Sequence, residues 1–277
     1  MSSKILWFKL FFPVWQGSSE LLFFVKITVS LTFLIGHPFI ELQQVESTNN
    51  YATGLLHAGL AQSGTAVFTH DQTAGKGQRK RTWQSRAGEN IALSVVLQSP
   101  GLSLSQSFLL SMATAVGAQR FFALHAGAET KVKWPNDVYW QDRKAAGILI
   151  ENVVQGTEWK AAVVGIGVNV NQTVFENLPN KPVSLKQITG KNFEPLKLAK
   201  ELCEHLTTAY NSLQEDPASI IKEYKTILYK MNEPVRFKQG SRLFTATVKD
   251  VTNLGELVVQ HATEERFSVG EVEWVIQ

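Results

Sequence analysis

A chain of 277 residues, 44% apolar and 18% charged, can bury a real core in one large domain plus a small one, which excludes a disordered or low-complexity protein. The net charge of +3 does not by itself imply a nucleic-acid partner. The single cysteine, Cys203, excludes an intrachain disulfide and fits a reducing, cytoplasmic setting.

Residues 1–35 are apolar and stand apart in composition. Trp7, Phe8, Phe11, Phe12, Val14 and Trp15 open the chain, and 21–35 is apolar again. Lys9, Pro13, Glu20 and Lys26 interrupt the run, so no uncharged stretch reaches the roughly 20 residues that span a bilayer. A signal peptide would need a small-residue cleavage site, which is not evident. Three readings stay open: a start codon placed too far upstream, favoured for about residues 1–30; an interfacial anchor; or strands packed on the main domain.

Residues 39–45 alternate like a strand. Ser47-Thr48-Asn49 then supplies an N-cap for a helix over 50–61. Strands are predicted at 65–72 and 90–98, and a long core-facing helix at 103–123 from Phe108, Leu109, Met112, Val116 and Phe121. Strands follow at 131–134, 147–154 and 160–170. Residues 173–191 read mostly as loop, and 196–213 and 218–229 as helices. Cys203 and His205 fall in the first of these and read as packing residues, and no His or Cys cluster suggests a transition-metal site. From 233 the pattern changes to short strands split by Gly240, Gly255 and Gly270, a small barrel-like β domain.

Three clusters carry chemistry. Gly75-Lys76-Gly77-Gln78-Arg79-Lys80-Arg81 puts four cations in six residues between flexible glycines, which suits backbone N–H groups and charges converging on a small anion. A solvated basic run and a nucleic-acid patch are the competing readings. Lys133-Trp134-Pro135-Asn136-Asp137 reads as a strand end and a turn at Asn136-Asp137, with Asp142-Arg143-Lys144 as a charged hairpin tip opposite. By itself this is a surface hairpin. Gly165-Ile166-Gly167-Val168-Asn169 places glycines inside a strand, which marks close approach of a ligand or backbone.

The order of these clusters resembles biotin protein ligases from about Glu46 to Asn171, with a fainter continuation to the C-terminus. The run from Lys133 to Glu151, with Arg143-Lys144-Ala145-Ala146-Gly147-Ile148-Leu149, is its most specific part. The resemblance implies an α+β fold. A mixed central sheet with helices packed on one side, like class II synthetases and biotin–lipoyl ligases, would be followed by a small SH3-like β-barrel. The expected domains are 1–35, 36–231 and 232–277. It implies ATP-dependent formation of biotinyl-5′-AMP and transfer of biotin to a lysine of a biotin carboxyl carrier domain, as in acetyl-CoA carboxylase. ATP and biotin would be substrates, with Mg²⁺ near Asp137 and no metal held by the protein alone. No membrane is expected, and the chain would be a monomer or homodimer.

By the same resemblance Lys144, Lys76 and Arg79 are catalytic. Ser47, Thr48, Asn49, Gln72, Gly75, Lys76, Gly77, Gln78, Lys144 and Gly147 would bind biotin. Arg79, Arg81, Trp83, Asn136, Asp137, Gly147, Ile150, Gly165, Ile166, Gly167 and Asn169 would bind the nucleotide, with Trp83 stacked on adenine. The loop departs from the family's usual Gly-Arg-Gly-Arg/Gln-Arg-Gly-Arg at Lys76 and Lys80, which puts adenylate retention rather than reaction class in doubt. Fewer than fifty residues precede Ser47 and they lack a basic recognition helix, so no operator DNA binding is expected. The alternatives are a lipoate ligase-like enzyme, a non-catalytic biotin sensor or repressor, and a membrane-associated form. The Arg-Arg-x-x-Gly-Gly-Gly loop and His-Asp pair of lipoate enzymes are not found.

Overall fold

A computed structural model describes residues 3–10, 23–30, 33–98, 100–175 and 181–275. It divides into two units, 1–33 and 34–277. In the first, β1 (Ser3–Leu10) and β2 (Phe23–Ser30) form an antiparallel pair, from Ser3 opposite Ser30 to Leu10 opposite Phe23.

The second unit is built on a seven-stranded sheet. Its strands are β3 (Phe39–Val45), β4 (Ala66–Gln72), β5 (Ile91–Gln98), β6 (Thr130–Lys133), β7 (Asp137–Trp140), β8 (Arg143–Gln155) and β9 (Glu158–Val168). They lie in the order β3-β4-β5-β9-β8-β7-β6, with β3 and β4 parallel and the rest antiparallel, so the sheet is mixed as expected. The helices are α1 (Thr48–His57), α2 (Ser107–Ala126), α3 (Leu185–Thr189), α4 (Pro195–Glu215) and α5 (Pro217–Thr226).

Alternation along the strands divides the sheet into two faces. Val95, Leu97 and Val164 meet Leu110 and Ala113 of α2 and Leu206 and Tyr210 of α4 on one face. On the other, Val67, Val96 and Val163 pack under Ala52, Leu55 and Leu56 of α1. α1 therefore covers a corner of the face opposite the long helices, and the rest of that face stays open for a site. Leu104–Ala126 is long and apolar enough to cross a membrane, but 67% of its apolar window is buried, which makes α2 the core helix. Gly117 lets it approach α4 closely, since a Cβ there would stand 3.1 Å from both the His205 carbonyl and Leu206.

Two local expectations change. Asn136-Asp137 is not one turn: the chain reverses over 134–136, Asp137 opens β7, and a second reversal falls at Gln141-Asp142, where Gln141 has φ +51°. Arg143 and Lys144 accordingly begin β8 rather than form a hairpin tip. The 173–191 segment contains α3, which Ser184 caps by accepting from the Gln187 N–H while the Gln187 side chain reaches back to it.

The C-terminal strands are β10 (Pro234–Gln239), β11 (Arg242–Val251), β12 (Leu257–Gln260), β13 (Glu264–Phe267) and β14 (Glu273–Val275). They form an antiparallel five-stranded sheet in the order β13-β12-β11-β10-β14. Phe237, Phe244 and Trp274 pack on one another within it. The turn before β12 meets the catalytic side: the Trp134 indole N–H donates to the Gly255 carbonyl at 2.9 Å, and Gly255 lies flat on the Phe108 ring.

Candidate active site

Small residues make a trough in the open face. Cross-strand register aligns Thr69, Ala92, Gly167, Gly147 and Asp137 in one row, and Val67, Ser94, Gly165 and Leu149 in the next. At Ala92, Gly147, Gly165 and Gly167 these rows carry little or no side chain, so other groups can sit on the sheet there. Two of the protein's own side chains do so. The Asn49 amide occupies the space above Gly165, and the Trp83 indole lies on Gly167 and Gly147. The result is a cleft lined by residues of β4, β5, β8, β9, the start of α1 and the basic loop.

One end of the cleft is a closed polar network. Ser47 caps α1, as its side chain accepts from the Asn50 N–H. The Gln72 side-chain oxygen accepts from the Thr48 N–H at 2.9 Å and the Thr48 hydroxyl at 3.1 Å. The Ser94 hydroxyl lies 2.6 Å from Asn49 Oδ1 and 2.8 Å from the Thr48 hydroxyl oxygen. Asn49 Nδ2 donates to Glu151 at 2.7 Å. Ser47, Thr48, Asn49 and Ser94 are all buried. Buried polar atoms in such a network are held to one geometry because each lost partner costs about 1–3 kcal/mol.

The other end is cationic. Lys144 Nζ is 2.7 Å from Asp137 Oδ1 and 5.8 Å from the Trp83 ring centroid. Lys76 reaches the rim, donating to Asn50 at 2.5 Å with Glu151 3.9 Å away. Beyond this end Lys133 stacks its ammonium 5.2 Å from the Tyr139 ring and 5.3 Å from Trp274. Burial pushes its pKa down to about 8, opposed by nearby Asp137 and helped by Lys144 and Arg81.

The basic loop differs from its sequence reading. It is a short hairpin in which Lys76 bridges Thr82, and the Gly77 N–H donates to the Arg81 carbonyl at 2.7 Å rather than to a ligand. Gly75 is needed for space, because a Cβ would collide with the Trp83 carbonyl and the Gln72 side chain. The cations also diverge. Arg79, with φ +55°, lays its guanidinium on Gly270 of the C-terminal sheet, and the charge of Arg81 is felt at Lys133 and Tyr139.

Of the residues singled out in the sequence, the cleft is lined by Ser47, Thr48, Asn49, Gln72, Lys76, Gly77, Gln78, Trp83, Asn136, Lys144, Gly147, Gly165, Ile166 and Gly167. Gly75, Arg79, Arg81, Asp137, Ile150 and Asn169 lie outside the lining. Asp137 touches it through Lys144. Ile150 pairs with Val164, in register with the helix-covered face. Asn169 is 3% exposed, with its amide on the Lys144 carbonyl. Sequence reasoning gave no role to Ser94, Ala92, Leu93, Leu149 or Glu151. A serine inside the apolar run of β5 was the available signal for Ser94. Among the described residues no three His, Cys, Asp or Glu side chains gather to hold a metal ion.

Residues 41–169 match the model of the Biotin/lipoate A/B protein ligase family. The chain is 31% identical over 231 residues to the biotin--[acetyl-CoA-carboxylase] ligase of Paracoccus denitrificans, covering 79% of this chain and 92% of that protein. The chain belongs to the biotin protein ligase family. It is 32% identical over 181 residues to the bifunctional ligase/repressor BirA of Bacillus spizizenii, covering 64% of this chain but 54% of that protein, about half its length. The fold matches a biotin protein ligase from Aquifex aeolicus in complex with biotin and ATP. Its TM-score is 0.72 at 23% identity, covering 86% of this chain and 99% of that one. In this family's terms, the trough between the Ser47–Asn49 network and Lys144 is the candidate ligand site.

Proposed function

We propose that the chain activates biotin with ATP to biotinyl-5′-AMP and transfers the biotinyl group to a lysine of a biotin carboxyl carrier domain, as a cytoplasmic enzyme. One observation carries this reading: a single cleft joins an end lined by the Thr48, Asn49 and Gln72 side chains, in their hydrogen-bonded network with Ser94, to an end that holds the Lys144 ammonium. The first suits an uncharged ureido ring, and the second suits a carboxylate meeting a phosphate. The Paracoccus denitrificans relative and the Aquifex aeolicus complex support the substrate pair.

In the first step a biotin carboxylate oxygen attacks the α-phosphorus, the bond to the β-phosphate oxygen breaks, and pyrophosphate leaves. Negative charge grows on the α-phosphate oxygens, where the compact Lys144 ammonium stabilises it. Lys76 and Gln78 close the rim and keep water from the mixed anhydride. In the second step a neutral lysine amine of the carrier attacks the acyl carbon, AMP leaves, and the amine sheds a proton. Ser47, Thr48, Asn49 and Gln72 hold the biotin head. Trp83 and Asn136 face the nucleotide, and the buried Trp83 indole N–H, which has no partner among the described residues, gains an acceptor there. Mg²⁺ brought with the ATP would have Asp137 as its nearby carboxylate. It would neutralise phosphate charge.

The test is transfer of radiolabelled biotin to a purified carrier domain with ATP and Mg²⁺, with lipoate as competitor. Label on the carrier that excess lipoate does not reduce is the expected result. No transfer, or displacement by lipoate, overturns the reading.

A further inference from the structure

Lys144 and Gly147 stand three residues apart, a spacing that in a regular strand sends side chains to opposite faces. Both nevertheless line the cleft, with the Lys144 ammonium 3.2 Å from where a Gly147 Cβ would lie. The reason is one extra residue in β8. Asp137 pairs with Gly147, Val138 with Ala146, and then Tyr139 with Lys144, so Ala145 is skipped. This bulge turns Lys144 onto the trough face.

A bulge leaves backbone carbonyls without their ladder partners, and buried carbonyls need donors. Toward β9 the register runs on past the bulge, and the carbonyls of Ala145 and Lys144 each accept a bond from Asn169. The Asn169 N–H donates to the Ala145 carbonyl at 2.9 Å, and Asn169 Nδ2 donates to the Lys144 carbonyl at 3.2 Å. The Val183 N–H adds a second bond to the Lys144 carbonyl at 2.9 Å. Asn169 is itself anchored, since its own carbonyl accepts from the Leu185 N–H at 3.2 Å.

We propose that Asn169 is a positioning residue whose side-chain amide, bonded to the Lys144 carbonyl, steadies the strand beside the Ala145 bulge and thereby aims the Lys144 ammonium into the cleft. The inference rests on the ligase reading, in which Lys144 is the cation at the reacting phosphate. Asn169 does not line the cleft, so its effect is transmitted through Lys144. An aspartate of the same shape would set a carboxylate oxygen against the Lys144 carbonyl instead of an N–H donor.

The experiment is biotin-dependent exchange of radiolabelled pyrophosphate into ATP, measured for wild type, Asn169→Ala, Asn169→Asp, Lys144→Ala and the Asn169→Ala/Lys144→Ala double variant. Asn169→Ala is expected to lower kcat about 10–100-fold, the scale of a catalytic group displaced by an ångström. The KM values for ATP and biotin should stay within about twofold. Asn169→Asp, which keeps the side-chain volume, should lose at least as much. The double variant should be no slower than Lys144→Ala alone, because both substitutions remove one function. A raised ATP KM at unchanged kcat would indicate direct nucleotide contact and overturn the proposal. An additive loss in the double variant, or wild-type rates for Asn169→Asp, would do the same. Absence of exchange in the wild type would instead overturn the ligase reading.

Discussion

The carboxylate of Asp137 stands 2.7 Å from the Lys144 ammonium at the end of the small-residue trough. Asp137 opens β7 directly opposite Gly147, while Lys144 is brought round to it by the bulge at Ala145. The pair fixes one cation at a known place on the wall of the cleft, which is what stabilising a localised developing charge requires.

Lys144→Ala should therefore slow adenylate formation by at least about 10²-fold to a low but measurable rate, the scale of removing one preorganised partner of a developing oxyanion. The fold should survive, since Lys144 is half-buried at the cleft wall. Pyrophosphate exchange checks the rate and far-UV circular dichroism checks the fold. A folded variant with wild-type exchange removes Lys144 from the mechanism.

Gly165→Ala should weaken biotin binding, because the added methyl takes the space of the Asn49 amide and breaks its bonds to Ser94 and Glu151. With several buried partners lost, an increase in biotin Kd of at least about tenfold is expected, equal to roughly one hydrogen bond. Calorimetric titration with biotin reads it directly. An unchanged Kd would mean that Asn49 does not form part of the biotin subsite.

Stability should rise with pH between about 8 and 10.5 through Lys133. Its folded pKa is pushed down to about 8 by burial, from the ordinary lysine value of 10.5. In that window the unfolded chain binds the extra proton and the folded chain does not, so raising pH favours folding; below about 8 both states are protonated and the folded state bears the full desolvation cost. Allowing for partial exposure, the effect is about 1–3 kcal/mol. The buried Cys203 thiol, pushed up to about 12, works in the opposite direction above pH 9. The comparison is therefore wild type against Lys133→Met in urea melts from pH 7.5 to 9.5, where the variant should show the smaller positive slope. Equal slopes would remove Lys133 as the cause.

Trp134 ties the catalytic sheet to the C-terminal sheet through one buried hydrogen bond to the Gly255 carbonyl. Trp134→Phe should cost about 1–3 kcal/mol, from the lost bond and the volume left behind. Gly255→Ala should cost more, because φ is +92° there and a Cβ would enter the Phe108 ring. Thermal melts rank the two; a Gly255→Ala protein as stable as wild type would mean that this seam yields easily.

Much of the architecture was legible from periodicity. β3 matches its predicted span, and β4, β5, α2 and α4 fall within a few residues of theirs. These elements bury one face or a whole surface, so their side-chain period is written plainly in the chain. The β6–β7 reversal was misread because a four-residue strand shows no period of its own and takes its bounds from its partners. β7 gains its pairing from β8, and α3 is held by a cap and by bonds to Asn169 and Val170.

The sequence by itself determined which chemistry was present: a glycine-flanked cationic segment, a Lys-Trp-Pro-Asn-Asp run, a polar helix start and strand glycines, in an order that pointed to one family. Tertiary structure decided which of those residues face one another. Cross-strand register collected Ala92, Gly165, Gly167 and Gly147 into a trough, sent Arg79 to Gly270 and away from the cleft, and turned Lys144 to the open face through a single extra residue. A strand's side-chain direction inverts with every residue, so one bulge changes which face a lysine serves, and only the pairing with another strand shows where that bulge lies.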